Sequence, residues 1–263
     1  MRALTTVPVL LAVLLAIPAV LTAAAPAAQS AGSRLHITAG GTPNHPRVYS
    51  GGGKHVRGID VDADWVVVEG FTLDRPSAPG VEIRGDHVTL RDTTITAPQG
   101  GDGDGIRFFG DYIAIQHNTI SRTSNRGGAH ADCMQTFSSD SPPSNHVRIE
   151  GNRCEKIDNM CLMAEGPNDG EGDGKGHTTD FLIKDNFCET LVASQTLMFE
   201  DVQRATITGN TFAAGPDHAI GLAIHSTGAR VEGNRVDPSI PCEVGIDDSS
   251  REGYSGPEPG CDP

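Results

Sequence analysis

The stretch IAIQHNTI, residues 113–120, alternates apolar and polar side chains and closes the alternation at Asn118. The same grammar returns as VRIEGNRC at Asn152, FLIKDNFC at Asn186, ATITGNTF at Asn210 and ARVEGNRV at Asn234. Upstream, VTLRDTTI puts Asp92 and VVVEGFTL puts Gly70 in the corresponding slot, so the intervals run 22, 26, 34, 34, 24 and 24 residues. A strand-sized unit recurring every twenty-odd residues describes stacked rungs of a coiled β-solenoid, because one copy cannot bury its apolar face alone.

The first thirty residues stand apart from this repeat. Arg2 gives a positive start, Val7 to Leu21 an apolar run, and Ala25-Pro26-Ala27 a small-x-small cleavage pattern. Residues 1–28 are therefore expected to be a secretory signal peptide, and the mature protein to be extracellular. Residues 29–263 are left for one domain. Nothing after the leader approaches 18 consecutive apolar residues, so no membrane span is expected. Aromatic residues make up 5% of the chain while Gly and Pro number 32 and 17, which suits short strands and tight turns rather than a helical core. A net charge of −14 argues against nucleic acid, whose phosphates call for Lys and Arg. It also repels polyanions unless a cation mediates.

With the Asn slot as a ruler, each rung carries a second short strand: GIDVDA (58–63), GVEIRG (80–85), GIRFFG (105–110), CMQTFS (133–138), CLMAEG (161–166), TLMFED (196–201) and GLAIHS (221–226). Alternation turns Ile59, Val81, Ile106, Met134, Leu162, Leu197 and Leu222 inward, and then Val61, Ile83, Phe108, Thr136, Ala164, Phe199 and Ile224. Six cysteines in an exported chain point to disulfides. Cys133 and Cys161 share a slot on adjacent rungs, as do Cys154 and Cys188, and strands ~4.8 Å apart are compatible with bridging each pair. Cys242 and Cys261 then tie down the C-terminal tail. The asparagines are expected to form a structural ladder, since Asn tolerates the left-handed region and its amide can bond the turn of the next rung.

The repeat, the asparagine ladder and the opening stretch GGTPNHPRVYSGGG (40–53) resemble the right-handed parallel β-helix proteins of the pectate-lyase-like superfamily, over roughly residues 35 to 250. The expected fold class is thus all-β, a single-domain right-handed parallel β-helix (solenoid) of about seven to eight rungs, with an Asn ladder and stacked cysteines. The resemblance implies carbohydrate work without selecting a reaction, because such proteins include polysaccharide lyases, glycoside hydrolases and non-catalytic surface proteins.

Three groups of residues carry candidate chemistry. Outward alternation lines up Glu165, Glu200 and His225 on successive rungs. Two carboxylates one rung apart suit either a hard cation, with His225 or Gln135 nearby, or the acid and nucleophile of a retaining hydrolase. Next, His130, Asp132 and Gln135 enter the fourth rung after a Gly-rich turn, where they would position substrate or serve as base. Finally, Asp169, Glu171, Asp173 and Asp180 occupy positions 1, 3, 5 and 12 of a loop with Gly174 at position 6. That is the grammar of a calcium loop, with Asp in place of the closing Glu. The insertions 122–131, 138–145 and 166–179 all leave the middle rungs beside the Glu165 strand, where long loops of a repeat protein wall a binding face.

The leading expectation is a polysaccharide lyase acting on a uronic-acid-containing polymer by β-elimination. Ca²⁺ held by Glu165, Glu200 or the Asp169 loop, with Arg107 or Arg126, would neutralise the carboxylate, and His130 or Lys175 would serve as base. The alternatives are a retaining hydrolase using Glu165 and Glu200, and a non-catalytic glycan-binding module. The few exposed Trp and Tyr count against tight stacking of neutral sugars in the last case.

Overall fold

The computed structural model describes residues 32–139, 141–213 and 215–263. The expected leader, residues 1–28, lies outside them. Strands of two to six residues stack in parallel into three long sheets of nine, eight and seven strands, wound as a β-helix, with a fourth sheet of two short strands, Thr178–Thr179 and Val202–Gln203. The nine-stranded sheet runs Leu35–Ile37, Ile59–Val61, Val81–Ile83, Ile106–Phe108, Met134–Thr136, Leu162–Glu165, Gln195–Glu200, His218–Ala223 and Cys242–Ile246. Two of these, the first and the last, extend the expected seven to eight rungs to nine, since neither Leu35–Ile37 nor Cys242–Ile246 is among the seven strand segments that the repeat aligns. The only helix among the described residues is one 3-10 turn, Asp248–Ser250, and no helix is long and apolar enough to cross a membrane.

The inward columns are those the alternation predicts through six rungs. Ile59, Val81, Ile106, Met134, Leu162 and Leu197 pair rung to rung and are almost wholly buried. At the next rung the register departs from the ruler by two residues: Leu197 pairs Ile220, not Leu222, and Glu200 pairs Ala223, not His225. A two-residue slip preserves which face each side chain takes, so the alternation alone cannot detect it. Ile224 and His225 fall instead in a turn with positive φ, His225 exposed.

The asparagine ladder is present and continuous. Asn118 N and Nδ2 both donate to Asn152 Oδ1 (2.9 and 3.0 Å), and Asn152 repeats the pattern onto Asn186. Asn186 does so onto Asn210, and Asn210 onto Asn234. Each side chain thereby satisfies a turn amide that burial would otherwise orphan. The left-handed conformation belongs to the preceding residue: His117, Gly151, Asp185, Gly209 and Gly233 have φ between 53° and 68°. Gly70 (φ 69°) and Asp92 (φ 53°) are members of that preceding column. Thr93 holds the ladder slot, its N donating to Asn118 Oδ1 at 3.0 Å. The expected placement of Gly70 and Asp92 is thus one residue early.

The cysteine pairing along the stack is also corrected. Cys133 bonds Cys154 across the interior of one rung (Cα–Cα 6.0 Å), and Cys161 and Cys188 are buried free thiols. Stacked side chains in one column point the same way, into the core, so their Cβ vectors cannot close a bridge even at rung spacing. Burial, then the neighbouring Cys188, raises the Cys161 thiol well above its ordinary value and keeps it protonated. Cys242 bonds Cys261 as expected.

Candidate functional site

Parallel register builds the site on the outer face of the nine-stranded sheet. Arg107, Gln135, Met163 and Met198 form one outward column. Glu165 and Glu200 face each other in the next. One carboxylate oxygen from each, with one from Asp169, lie within 4.8 Å of one another. Burial, then Glu200, Asp169 and Glu171, raise the Glu165 carboxyl to about 7. Burial, then Asp169 and Glu171, also raise Glu200. Like charges drawn together on a half-buried face leave the proton as the available neutraliser. Gln135 Nε2 reaches Glu165 Oε2 at 3.4 Å, and Gln135 Oε1 is buried without a partner.

Asp169 arrives because its loop is clamped from beneath. Asp201, fully buried directly after Glu200, accepts from Asn168 N (2.9 Å) and Nδ2 (2.7 Å), while His177 Nδ1 lies 2.5 Å from its other oxygen. No pattern in the sequence marked Asp201 or His177, although Asp201 sits at a strand exit with φ 56°.

A second cluster borders the carboxylates. Asp132 is fully buried; its Oδ1 accepts from Met160 N and Asn159 Nδ2, both at 2.8 Å. Asp132 N in turn donates to Asp104 Oδ1 at 2.9 Å. These two aspartates therefore tie successive rungs together. Asp132 Oδ2 has no hydrogen-bond partner, and His130 Nδ1 stands 3.6 Å from it, too far for one. Asp132, Asp104 and Glu165 raise His130 against the opposing effect of its burial. Burial, then Asp132, raise Asp104 to about 6 even though Arg107 Nε donates to it at 2.6 Å. Arg107 also donates to Asp102 and lies over the Phe137 ring. Its charge is thus already answered by two carboxylates.

The remaining expected residues lie elsewhere. His225 is in the turn noted above. Lys175 pairs with Asp173 at 3.1 Å and stands 84% exposed at a loop tip. There the two residues face Ser138 and Pro142 across a crevice of about 410 Å³. Arg126 lines a different crevice with Gln99 and Arg122. The calcium-loop set is not assembled. Asp180 is taken by Arg204, two bonds at 2.8 Å, and Asp173 and Asp169 accept their own loop amides. Among the described residues the carboxylates that do converge are Glu165, Asp169 and Glu200, hard oxygen donors fit for a divalent cation.

Three long parallel sheets, one carrying converging carboxylates on its outer face, define the class: a parallel β-helix. Residues 57–237 match the family of right-handed β-helix regions, and the chain belongs to that family. No curated protein matches it by sequence. Among solved structures it is similar to a mutant tailspike protein of E. coli bacteriophage HK620 in complex with a pentasaccharide, at 13% identity and TM-score 0.52. That match covers 85% of this chain and 52% of the tailspike, so the chain spans about half the tailspike's length. It is also similar to an alginate lyase from Paenibacillus sp. str. FPU-7, at 16% identity and TM-score 0.39, covering 86% of this chain and 85% of the lyase.

Proposed function

We propose that this chain is a carbohydrate-active β-helix protein that cleaves a glycan lying across the outer face of the nine-stranded sheet, by hydrolysis with retention. The observation that carries the reading is the Glu165–Glu200 pair: in register, within 4.8 Å through their oxygens, with Glu165 raised to about 7. Carboxyl groups of retaining enzymes stand about 5–5.5 Å apart, so that one can donate a proton while the other attacks. Protonated Glu165 donates its proton to the glycosidic oxygen as that bond breaks. Ionised Glu200 takes the anomeric carbon as an ester. Water then releases the sugar, giving its proton back to Glu165. The orphaned Gln135 Oε1 is placed to accept a substrate hydroxyl. Cleavage should fall as pH rises through about 7, where Glu165 loses the proton it donates.

One observation favours a second reading, calcium-assisted elimination from a uronate polymer: Asp169 completes a three-carboxylate set. Glu165, Asp169 and Glu200 would hold Ca²⁺, which would supply the positive charge that neutralises a uronate carboxylate. His130 would then remove the proton. The hydrolytic reading is preferred because Arg107 is already paired and the Glu165, Asp169 and Glu200 face without a cation would repel a uronate.

A panel of pectate, alginate, xylan, arabinan and galactan separates the readings. Hydrolysis predicts new reducing ends, no ultraviolet-absorbing unsaturated product and no effect of chelator. Elimination predicts the unsaturated product and its loss on chelation. Binding to a panel polymer without cleavage would leave a glycan-binding module.

A further inference from the structure

Beside the carboxylates, the same outer face carries an apolar cluster of unusual composition. Met160, Met163 and Met198 pack together with Ala223, each 6–8% exposed, flanked by Ala193 and Ile224. Three of the five methionines of the chain thus meet outside the solenoid core. Apolar covering alone would be served by leucine, whose shape is better defined than that of the flexible thioether. The second observation is independent of the first. His218 is 6% exposed, and its Nε2 is buried with no hydrogen-bond partner. Such an orphan is costly unless something satisfies it. The two features meet at Gly221, where the missing Cβ lets both come close: a Cβ there would stand 2.6 Å from Met198 Sδ, 3.3 Å from His218 Nε2 and 3.6 Å from Pro263 Cβ. Register explains the convergence, since Met163, Met198 and Gly221 share one outward column and His218 opens the strand that carries Gly221.

We propose that Met160, Met163, Met198 and His218 form a site for a soft monovalent cation, Cu(I), bound through thioether sulfur and imidazole Nε2. Thioether ligands select soft ions, and imidazole is their common companion. Hard cations such as Ca²⁺ prefer the neighbouring carboxylate oxygens, so the two sets of donors discriminate by softness. Burial lowers the His218 pKa against the opposing Asp217, which favours the neutral imidazole a metal requires. The site does not depend on the glycan reading.

The test is an anaerobic titration of the full chain with Cu(I) against the competing chelator bicinchoninate. It is run in a Cys161→Ala/Cys188→Ala background so that the buried thiols cannot contribute. One ion per chain is expected, with affinity lowered at least tenfold by Met198→Leu and likewise by His218→Gln. Failure to hold Cu(I) against the chelator, or affinity unchanged by both substitutions, would overturn the site. A second readout needs no cysteine substitution. Methyl-¹³C methionine spectra of the unaltered chain should show the Met160, Met163 and Met198 signals moving on addition of Ag(I), a redox-inert soft ion. The signal of Met134, inside the solenoid core, should stay. No movement, or equal movement of all four, would contradict the proposal.

Discussion

Glu165→Gln is expected to lower glycan cleavage by about 10²–10⁴-fold while the β-helix remains intact, the range associated with removing a positioned proton donor. The amide keeps the shape and a hydrogen-bonding partner for Gln135, but has no proton to give at neutral pH. Reducing-end release by the two proteins on the most degraded polymer of the panel measures the loss. An accompanying stability effect has the opposite sign. The folded protein raises this carboxyl from 4.5 to about 7, so the native state binds its proton more tightly than the unfolded chain does. The associated stability is full below about pH 4.5 and is lost as pH rises to about 7. Gln at this position should abolish that loss, on the order of 1 kcal/mol once solvent screening is allowed for. A variant that is both less active and less stable at pH 8 would point to a structural rather than a chemical role.

Asn152→Ala carries the largest expected effect on stability, about 3–5 kcal/mol. Its side chain accepts from Asn118 N and Nδ2 and donates to Ile115 O (2.8 Å) and Asn186 Oδ1 (3.0 Å), all at a site 1% exposed. Truncation strands a buried amide and a buried carbonyl, which water cannot reach to repair. Asn234→Ala is the control. It is the end of the ladder and partly exposed, so about 1 kcal/mol is expected. Urea denaturation midpoints of the two variants give the comparison. Equal, small losses would mean that the ladder is ornament to a fold held by its core alone.

How much of this was readable in the sequence follows from what periodicity can encode. Alternation reports only the side-chain face, and it places the inward columns through six rungs and the Glu165–Glu200 pair correctly because those rungs follow one another without a slip. Register between rungs depends on turn length, which alternation does not see, and so His225 was assigned to a column that Ala223 occupies. The cysteine pairs failed for a related reason. Sharing a slot fixes separation but not direction, and Cys133 meets Cys154 across the rung rather than Cys161 along the stack. The asparagine column was legible as a ladder, yet Gly70 and Asp92 were read into it one residue early because they share the neighbouring left-handed turn position. Loop chemistry was the least legible. The spacing of Asp169, Glu171, Asp173 and Asp180 imitates a calcium loop, but of the four only Asp169 joins the converging carboxylates, since Asp201 and His177 hold the loop by contacts that no local pattern announces. The stacked rings of Trp65, His87, Tyr112 and His146, with centroids 3.6 to 4.6 Å apart, likewise come from a turn column that binary patterning treats as polar.

The central claim is that Glu165 and Glu200 act as the paired carboxyls of a retaining reaction. The direct measurement is proton NMR of the first product formed from the most degraded polymer of the panel, recorded before the anomers equilibrate. The account predicts a new reducing end with the same anomeric configuration as the bond that was broken. Inverted configuration, or an unsaturated non-reducing end in place of hydrolysis, would contradict it.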